Sequence, residues 1–285
     1  MKKRIISAVL AAIALIFIMI QPPFVMGITV FAVSIVALYE FYQSVRKVEY
    51  YPVRIVGFFS CVMFLLYIIS HSFASDLIET TLGALSRTLF QRNIVFLIIY
   101  IVIFYLMVQL IFNKRQFTLD DIAVTLLGII YVPFLLSFVF LVRCMDNGFE
   151  LVWIIFVGTF STDIFAYFTG KLFGKRKLLP KISPNKTVAG AIGGVIGSIV
   201  CTTAFGYFYA NLYAGINIPH FHYILIGLIC GVIAQLGDWA ASAIKRSVGI
   251  KDFGHIMPGH GGLLDRIDSL LFVAPAIYFY LQFFI

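Results

Sequence analysis

The chain has 285 residues, of which 61% are hydrophobic and only 12% charged, with a formal net charge of +8. A soluble domain carries about a quarter charged residues, so this composition excludes a water-soluble globular protein and describes a polytopic membrane protein. The basic balance does not call for nucleic acid, because the preference of Lys and Arg for cytoplasmic loops already accounts for it.

A membrane-spanning helix needs about 20 mostly apolar residues. Such runs lie near 5–21, 24–42, 55–74, 94–112, 122–142, 150–169, 187–208, 222–241 and 268–285. The expected fold is therefore all-α, an integral membrane protein of about nine transmembrane helices. The first run follows Met-Lys-Lys-Arg like a signal peptide, but it has no small-x-small cleavage site, and Pro22-Pro23 leads straight into more apolar sequence. It is read as a retained span. Segment 77–92 is amphipathic and is expected to lie in the membrane interface.

Of the 21 Lys and Arg residues, 18 fall in the N-terminus and in the connections 43–54, 113–121, 170–186 and 242–267. This bias predicts a cytoplasmic N-terminus and places both charged connections of the C-terminal half in the cytoplasm, with the C-terminus outside. The chain also divides by character. Residues 1–147 form an apolar region of about five spans, and residues 148–285 form a region of about four spans with acids inside them. Cys61, Cys144, Cys201 and Cys230 are scattered in or beside apolar runs with no metal or redox spacing, and are read as small buried hydrophobes.

Chemistry concentrates in the stretch Ser242–Asp268, which packs four basic residues, three acids, two histidines and five glycines between apolar segments. Asp265 and Asp268, three apart, share one face of a helix, where two carboxylates repel unless a cation sits between them. The plain alternative is a helix N-terminus decorated with acids. Asp238 and Asp163 lie inside apolar runs, where an ionisable group is costly and a functional candidate by default. Their plain alternatives are packing ion pairs, Asp238 with Lys245 and Asp163 with Lys171. Ser242 and Lys245 share the helical face of Asp238, and Tyr167 is one turn from Asp163. Ser183-Pro184 reads as N-cap and first helical residue, which would put Lys186 and Thr187 in the first turn of a helix, a ready anion site. The cluster Lys175-Arg176-Lys177 is also explained by topology and attraction to anionic lipid. The backbone of Pro258-Gly259-His260-Gly261-Gly262 could contact phosphate oxygens. His255 and His260 lack partners at zinc-ligand spacing, and His260 is read instead as a phosphate or ribose contact.

The stretch Ser242, Lys245-Arg246, Lys251-Asp252, His260-Gly261-Gly262, Asp265-Arg266 and Asp268 resembles the signature of the phosphatidate cytidylyltransferases. A second block agrees: Asp163, Ala166-Tyr167, Gly170, Phe173-Gly174-Lys175, Ser183-Pro184, Lys186-Thr187 and Gly190, with Ala189 where family members often carry Glu or Gln. The resemblance covers residues 150–285 strongly and 1–147 only as a likeness of apolar spans. It implies transfer of CMP from CTP to phosphatidic acid, giving CDP-diacylglycerol and pyrophosphate, with Mg²⁺ as cofactor. On that expectation Asp238, Asp265 and Asp268 coordinate metal, and three carboxylates leave room for a second cation, a monovalent one included. Lys245, Arg246, Lys251 and Arg266 are candidates for phosphate contacts. Ser183, Lys186 and Thr187 approach from the other loop, and Asp163, Tyr167 and Ser242 line the pocket with Gly261 and Gly262. The expected location is a bacterial inner membrane with the site facing the cytoplasm, and a homodimer is one association that so apolar an N-terminal half allows. The rival readings are a CTP-dependent polyprenol or dolichol kinase, which would release CDP, and an ion-coupled transporter using Asp163 and Asp238.

Overall fold

The computed structural model describes residues 2–72, 92–112, 117–257, 259 and 261–285. In chain order the helices are α1 (Lys2–Ile20), α2 (Pro23–Val45), α3 (Arg54–Ser72), α4 (Arg92–Phe112) and α5 (Leu119–Ile129). They continue with α6 (Leu135–Arg143), α7 (Gly148–Phe173), α8 (Val188–Phe205), α9 (His220–Ser247) and α10 (Leu264–Phe284). Two π-helical stretches, Ile130–Phe134 and Gly206–Tyr213, join α5 to α6 and extend α8. The first contains Pro133, which cannot donate the i→i−4 hydrogen bond and whose ring would collide with an α-helical carbonyl. A local widening of the helix accommodates it.

Among the described residues, six helical stretches are long and apolar enough to cross a membrane: Pro23–Val48, Leu119–Arg143, Gly148–Phe173, Val188–Tyr213, His220–Ser247 and Leu264–Phe284. Val9–Ile20, Arg54–Ile68 and Phe96–Phe112 are shorter apolar helices. Each of these helices falls on one of the runs predicted from sequence, and the fold is an all-α polytopic membrane protein. Residues 77–91, where an interfacial helix was expected, lie outside the described residues. The last helix starts earlier than its apolar run, at Leu264, so Asp265 sits in its first turn. Cys61 and Cys230 are buried as expected, whereas Cys201 is half-buried and Cys144 is exposed in the turn after α6.

The chain forms two compact units. Unit 1 comprises residues 1–140 and 253–264. Leu38, Phe41 and Tyr42 of α2 are fully buried there, and the Tyr42 hydroxyl donates to the Thr125 carbonyl at 2.9 Å. Thr118 and Asp121 form a capping box that starts α5, and Asp121 also accepts from the Tyr51 amide. In the segment 253–264, Met257 N–H donates to the Gly261 carbonyl at 3.0 Å. Gly259 and Gly261 adopt φ of 79° and 87°, a conformation that glycine takes at little cost. Glu40 of α2, 3% exposed, receives the amides of Leu263 at 3.0 Å and Leu264 at 2.8 Å.

Unit 2 comprises residues 141–252 and 265–285. Here α7, α8 and α9 pack on one another through small residues. A Cβ at Gly190 would stand 2.8 Å from the Ala166 carbonyl, and one at Gly194 would stand 3.0 Å from the Thr162 carbonyl. The pair is a GxxxG spacing that lets α7 and α8 approach backbone to backbone. Gln235 of α9 donates to the carbonyls of Ala191 at 3.1 Å and Gly231 at 2.7 Å, which ties α9 to α8.

Between α7 and α8 the chain makes an antiparallel hairpin of β1 (Lys177–Leu179) and β2 (Ser183–Thr187), with Lys177 opposite Thr187 and Leu179 opposite Ser183. This corrects the reading of Ser183 as an N-cap. Ser183 and Pro184 are extended, and a two-stranded edge tolerates a proline without its N–H. Thr187 is the N-cap instead, with φ −125° and ψ 155°, and its hydroxyl accepts from the Gly190 amide at 3.1 Å. Lys186 is therefore the last strand residue before the cap.

Candidate active site

Helices α7 and α9 end, and α8 and α10 begin, around one cavity of about 640 Å³ in unit 2. α7 contributes Asp163, Tyr167 and Lys171, and the hairpin contributes Lys177, Asn185, Lys186 and Thr187. α9 contributes Gln235, Asp238 and Lys245, and α10 contributes Asp265, Arg266 and Asp268. Asp252 also reaches the wall. Nine of the residues singled out from sequence thus meet in one place, although they come from chain segments about a hundred residues apart.

Two ion pairs organise this wall. Lys186 Nζ lies 2.6 Å from Asp238 Oδ2, and Lys245 Nζ lies 2.7 Å from Asp265 Oδ1. The second pair is the drier, with side-chain exposures of 11% and 2%. These partners differ from those expected from helical spacing. Lys245, although seven residues after Asp238 on α9, turns to Asp265 of α10, and Asp238 is met from the hairpin. Lys171 does not pair with Asp163; its ammonium lies 6.0 Å from the centre of the Tyr167 ring. Asp268, 8% exposed, accepts the Ser269 amide at 2.8 Å.

Lys186 lies outside the membrane-crossing helices. Burial alone would lower its pKa, but the adjacent Asp238 carboxylate outweighs that, with Asp163 and Asp268 adding to it. The net result is a pKa raised above the ordinary lysine value.

Other predicted residues stand elsewhere. Arg246 spans backbone carbonyls, donating from Nε to Ile182 at 3.3 Å and from Nη1 to Ile250 at 2.9 Å, and so ties the hairpin turn to the segment after α9. Ser242 is half-buried on α9 and Lys251 is exposed, and neither is among the residues lining the cavity. Ser183 is in the strand. Gly261 and Gly262 belong to unit 1, and His260 lies outside the described residues. The amides of Leu263 and Leu264, directly after the glycine-rich segment, are taken by Glu40. Sequence reasoning passed over Glu40 and gave Asn185 no role; it noted Asp252 only within the signature and Lys177 only within a basic cluster.

The donor chemistry of the cavity suits a hard cation, since Asp238, Asp265 and Asp268 offer only carboxylate oxygens. Among the described residues no three acidic, His or Cys side chains form a ready-made metal cage, and two of the three carboxylates face ammonium groups. That arrangement fits Mg²⁺, which usually binds through one or two carboxylates and completes its shell with water and substrate phosphate.

Acids and bases gathered where apolar helices end define a membrane protein built for chemistry on charged groups. The chain belongs to the cytidylyltransferase family, which it matches over residues 2–284. It is 37% identical over 286 residues to the phosphatidate cytidylyltransferase of Bacillus subtilis (strain 168), covering 100% of this chain and 98% of that one. It is 30% identical over 280 residues to the phosphatidate cytidylyltransferase of Staphylococcus saprophyticus, covering 97% of each.

Proposed function

We infer that the chain is a phosphatidate cytidylyltransferase, which transfers CMP from CTP to phosphatidic acid and so serves phospholipid biosynthesis. The observation that carries the reading is the cavity of facing acids and bases at the ends of apolar helices, in a chain that aligns end to end with enzymes of that name. Such a cavity suits a reaction between a phosphate fixed to a lipid and a nucleotide from water.

A phosphate oxygen of phosphatidate forms a bond to the α-phosphorus of CTP. The bond from that phosphorus to the bridging oxygen breaks, and pyrophosphate leaves. The attacking monoester is largely doubly ionised at neutral pH, with a second pKa of about 6, so little general-base help is needed. The obstacle is repulsion between two polyanions, and the protein answers it with positioned positive charge. Lys186, Lys245 and Arg266 meet the phosphates. With Lys186 and Lys245 directed at the phosphates, Asp238, Asp265 and Asp268 are the residues that would hold Mg²⁺. The cation supplies charge neutralisation and alignment of phosphate oxygens. Three carboxylates would leave room for a second cation, a monovalent one included. Asp163 and Tyr167 orient the lysines from α7, and Thr187 holds Lys186 at the mouth of α8. Arg246 acts through the hairpin turn that it holds.

The distribution of Lys and Arg supports a site facing the cytoplasm of a bacterial inner membrane. Association as a homodimer, without nucleic acid, belongs to the same proposal. The test incubates purified protein with Mg²⁺, each of the four nucleoside triphosphates and, in separate arms, phosphatidate, a polyprenol or a dolichol, and identifies the lipid product by mass spectrometry. CDP-diacylglycerol with pyrophosphate, from CTP, is expected. CDP with a phosphorylated polyprenol or dolichol would instead establish the kinase reading.

A further inference from the structure

A carboxylate inside an apolar helix is costly and calls for a purpose. Glu40 is almost wholly buried on α2, and among the described residues no lysine, arginine or histidine lies at ion-pair distance from it. Among the described residues its hydrogen-bond partners are backbone amides. Oε1 accepts from Leu263 N–H and Oε2 from Leu264 N–H, across 223 and 224 residues of sequence. Leu264 is the first residue of α10, so the carboxylate sits at the positive end of that helix and satisfies amides that have no partner within it.

Two glycines of the same segment make room for this contact. A Cβ on Gly262 would lie 2.6 Å from Glu40 Oε2, and a Cβ on Gly254 would collide with the same carboxylate. Part of the glycine content of the signature is therefore explained by the approach of an acid from α2. Asp265 follows Leu264 directly, and Asp268 lies one helical turn further along α10.

We propose that Glu40 is a positioning residue for the reaction: by clamping the amides at the start of α10 it fixes the direction in which that helix presents Asp265 and Asp268. The proposal rests on the cytidylyltransferase reading of the cavity. Glu40 touches no substrate in this scheme; it acts through the two amides. A misplacement on the order of 1 Å at a reacting centre costs up to about a hundredfold in rate.

The test compares wild type, Glu40→Gln, Glu40→Asp and Gly262→Ala in detergent or nanodiscs. It reads kcat and KM for CTP and for phosphatidate, together with hydrogen exchange of peptides across the chain. Glu40→Gln keeps the size but sets an amide donor against a backbone donor. It is expected to lower kcat about ten- to a hundredfold, with KM for phosphatidate little changed and faster exchange confined to residues 253–264. Glu40→Asp should recover part of the loss, and Gly262→Ala should reproduce the Gln phenotype. Wild-type kcat in Glu40→Gln overturns the proposal. So does faster exchange spread over all of residues 2–72 and 117–140, which would mark general loss of stability instead. If wild type forms no CDP-diacylglycerol, the functional reading falls, and exchange at 253–264 still decides whether Glu40 holds the segment.

Discussion

The ion pair between Lys245 and Asp265 allows stability and activity to be separated. At 2.7 Å and an effective dielectric constant of about 20, the direct attraction is about 6 kcal/mol. Desolvation of two ions costs several kcal/mol each, so the pair adds little compared with an apolar pair of similar volume. Removing one partner is different, because it strands a charge. Lys245→Met leaves the Asp265 side chain, 2% exposed, without its ammonium and should cost about 3–5 kcal/mol. The double variant Lys245→Met/Asp265→Leu should recover most of that stability while remaining without turnover, since a proposed metal ligand has gone. The assay is denaturant unfolding of purified protein in detergent, run beside CDP-diacylglycerol formation. A cost below about 1 kcal/mol for Lys245→Met, the range of a solvated surface pair, would refute the reading of a dry pair. Turnover by the double variant would refute the role of Asp265.

Asp268→Asn should lower Mg²⁺-dependent turnover by more than about a hundredfold with the protein still folded; near-normal turnover would remove it from the metal site. The pKa of Lys186 is higher folded than unfolded, so the stability it contributes is fully present below the unfolded value of about 10.4 and is lost only as pH rises through the folded value. The difference in thermal midpoint between wild type and Lys186→Met should therefore stay constant from about pH 7 to about pH 9, and a difference that shrinks across that window contradicts the assignment. Thr187→Val removes the cap on the Gly190 amide and should cost about 1 kcal/mol; an unchanged unfolding midpoint would show that the cap is not needed.

The spans were legible because a membrane imposes one length and one polarity on whatever crosses it, and each apolar helix lies on an apolar run. The hairpin was not, because Ser183-Pro184 is a good helix start in isolation and only pairing with Lys177–Leu179 makes it a strand. Periodicity speaks within one helix, which is why it offered Lys245 to Asp238. The actual partner, Lys186, arrives from another element. The cavity residues on α7, α9 and α10 were found by asking why a charge sits in apolar sequence. The same question applied to Glu40 would have found it, but Glu40 stands near the end of its run, close to Arg46 and Lys47, and looks like an interfacial acid.

The unit that contains Glu40 also contains residues 253–264, and the boundary falls at the bond between Leu264 and Asp265, inside the signature itself. The motif is therefore not modular. A fragment that starts after residue 140 retains every carboxylate and lysine of the cavity, yet loses the acid that holds the front of α10. Truncation, domain grafting or chimera building that treats the C-terminal half as a portable catalytic cassette would carry over the side chains and leave behind the acceptor of the Leu263 and Leu264 amides.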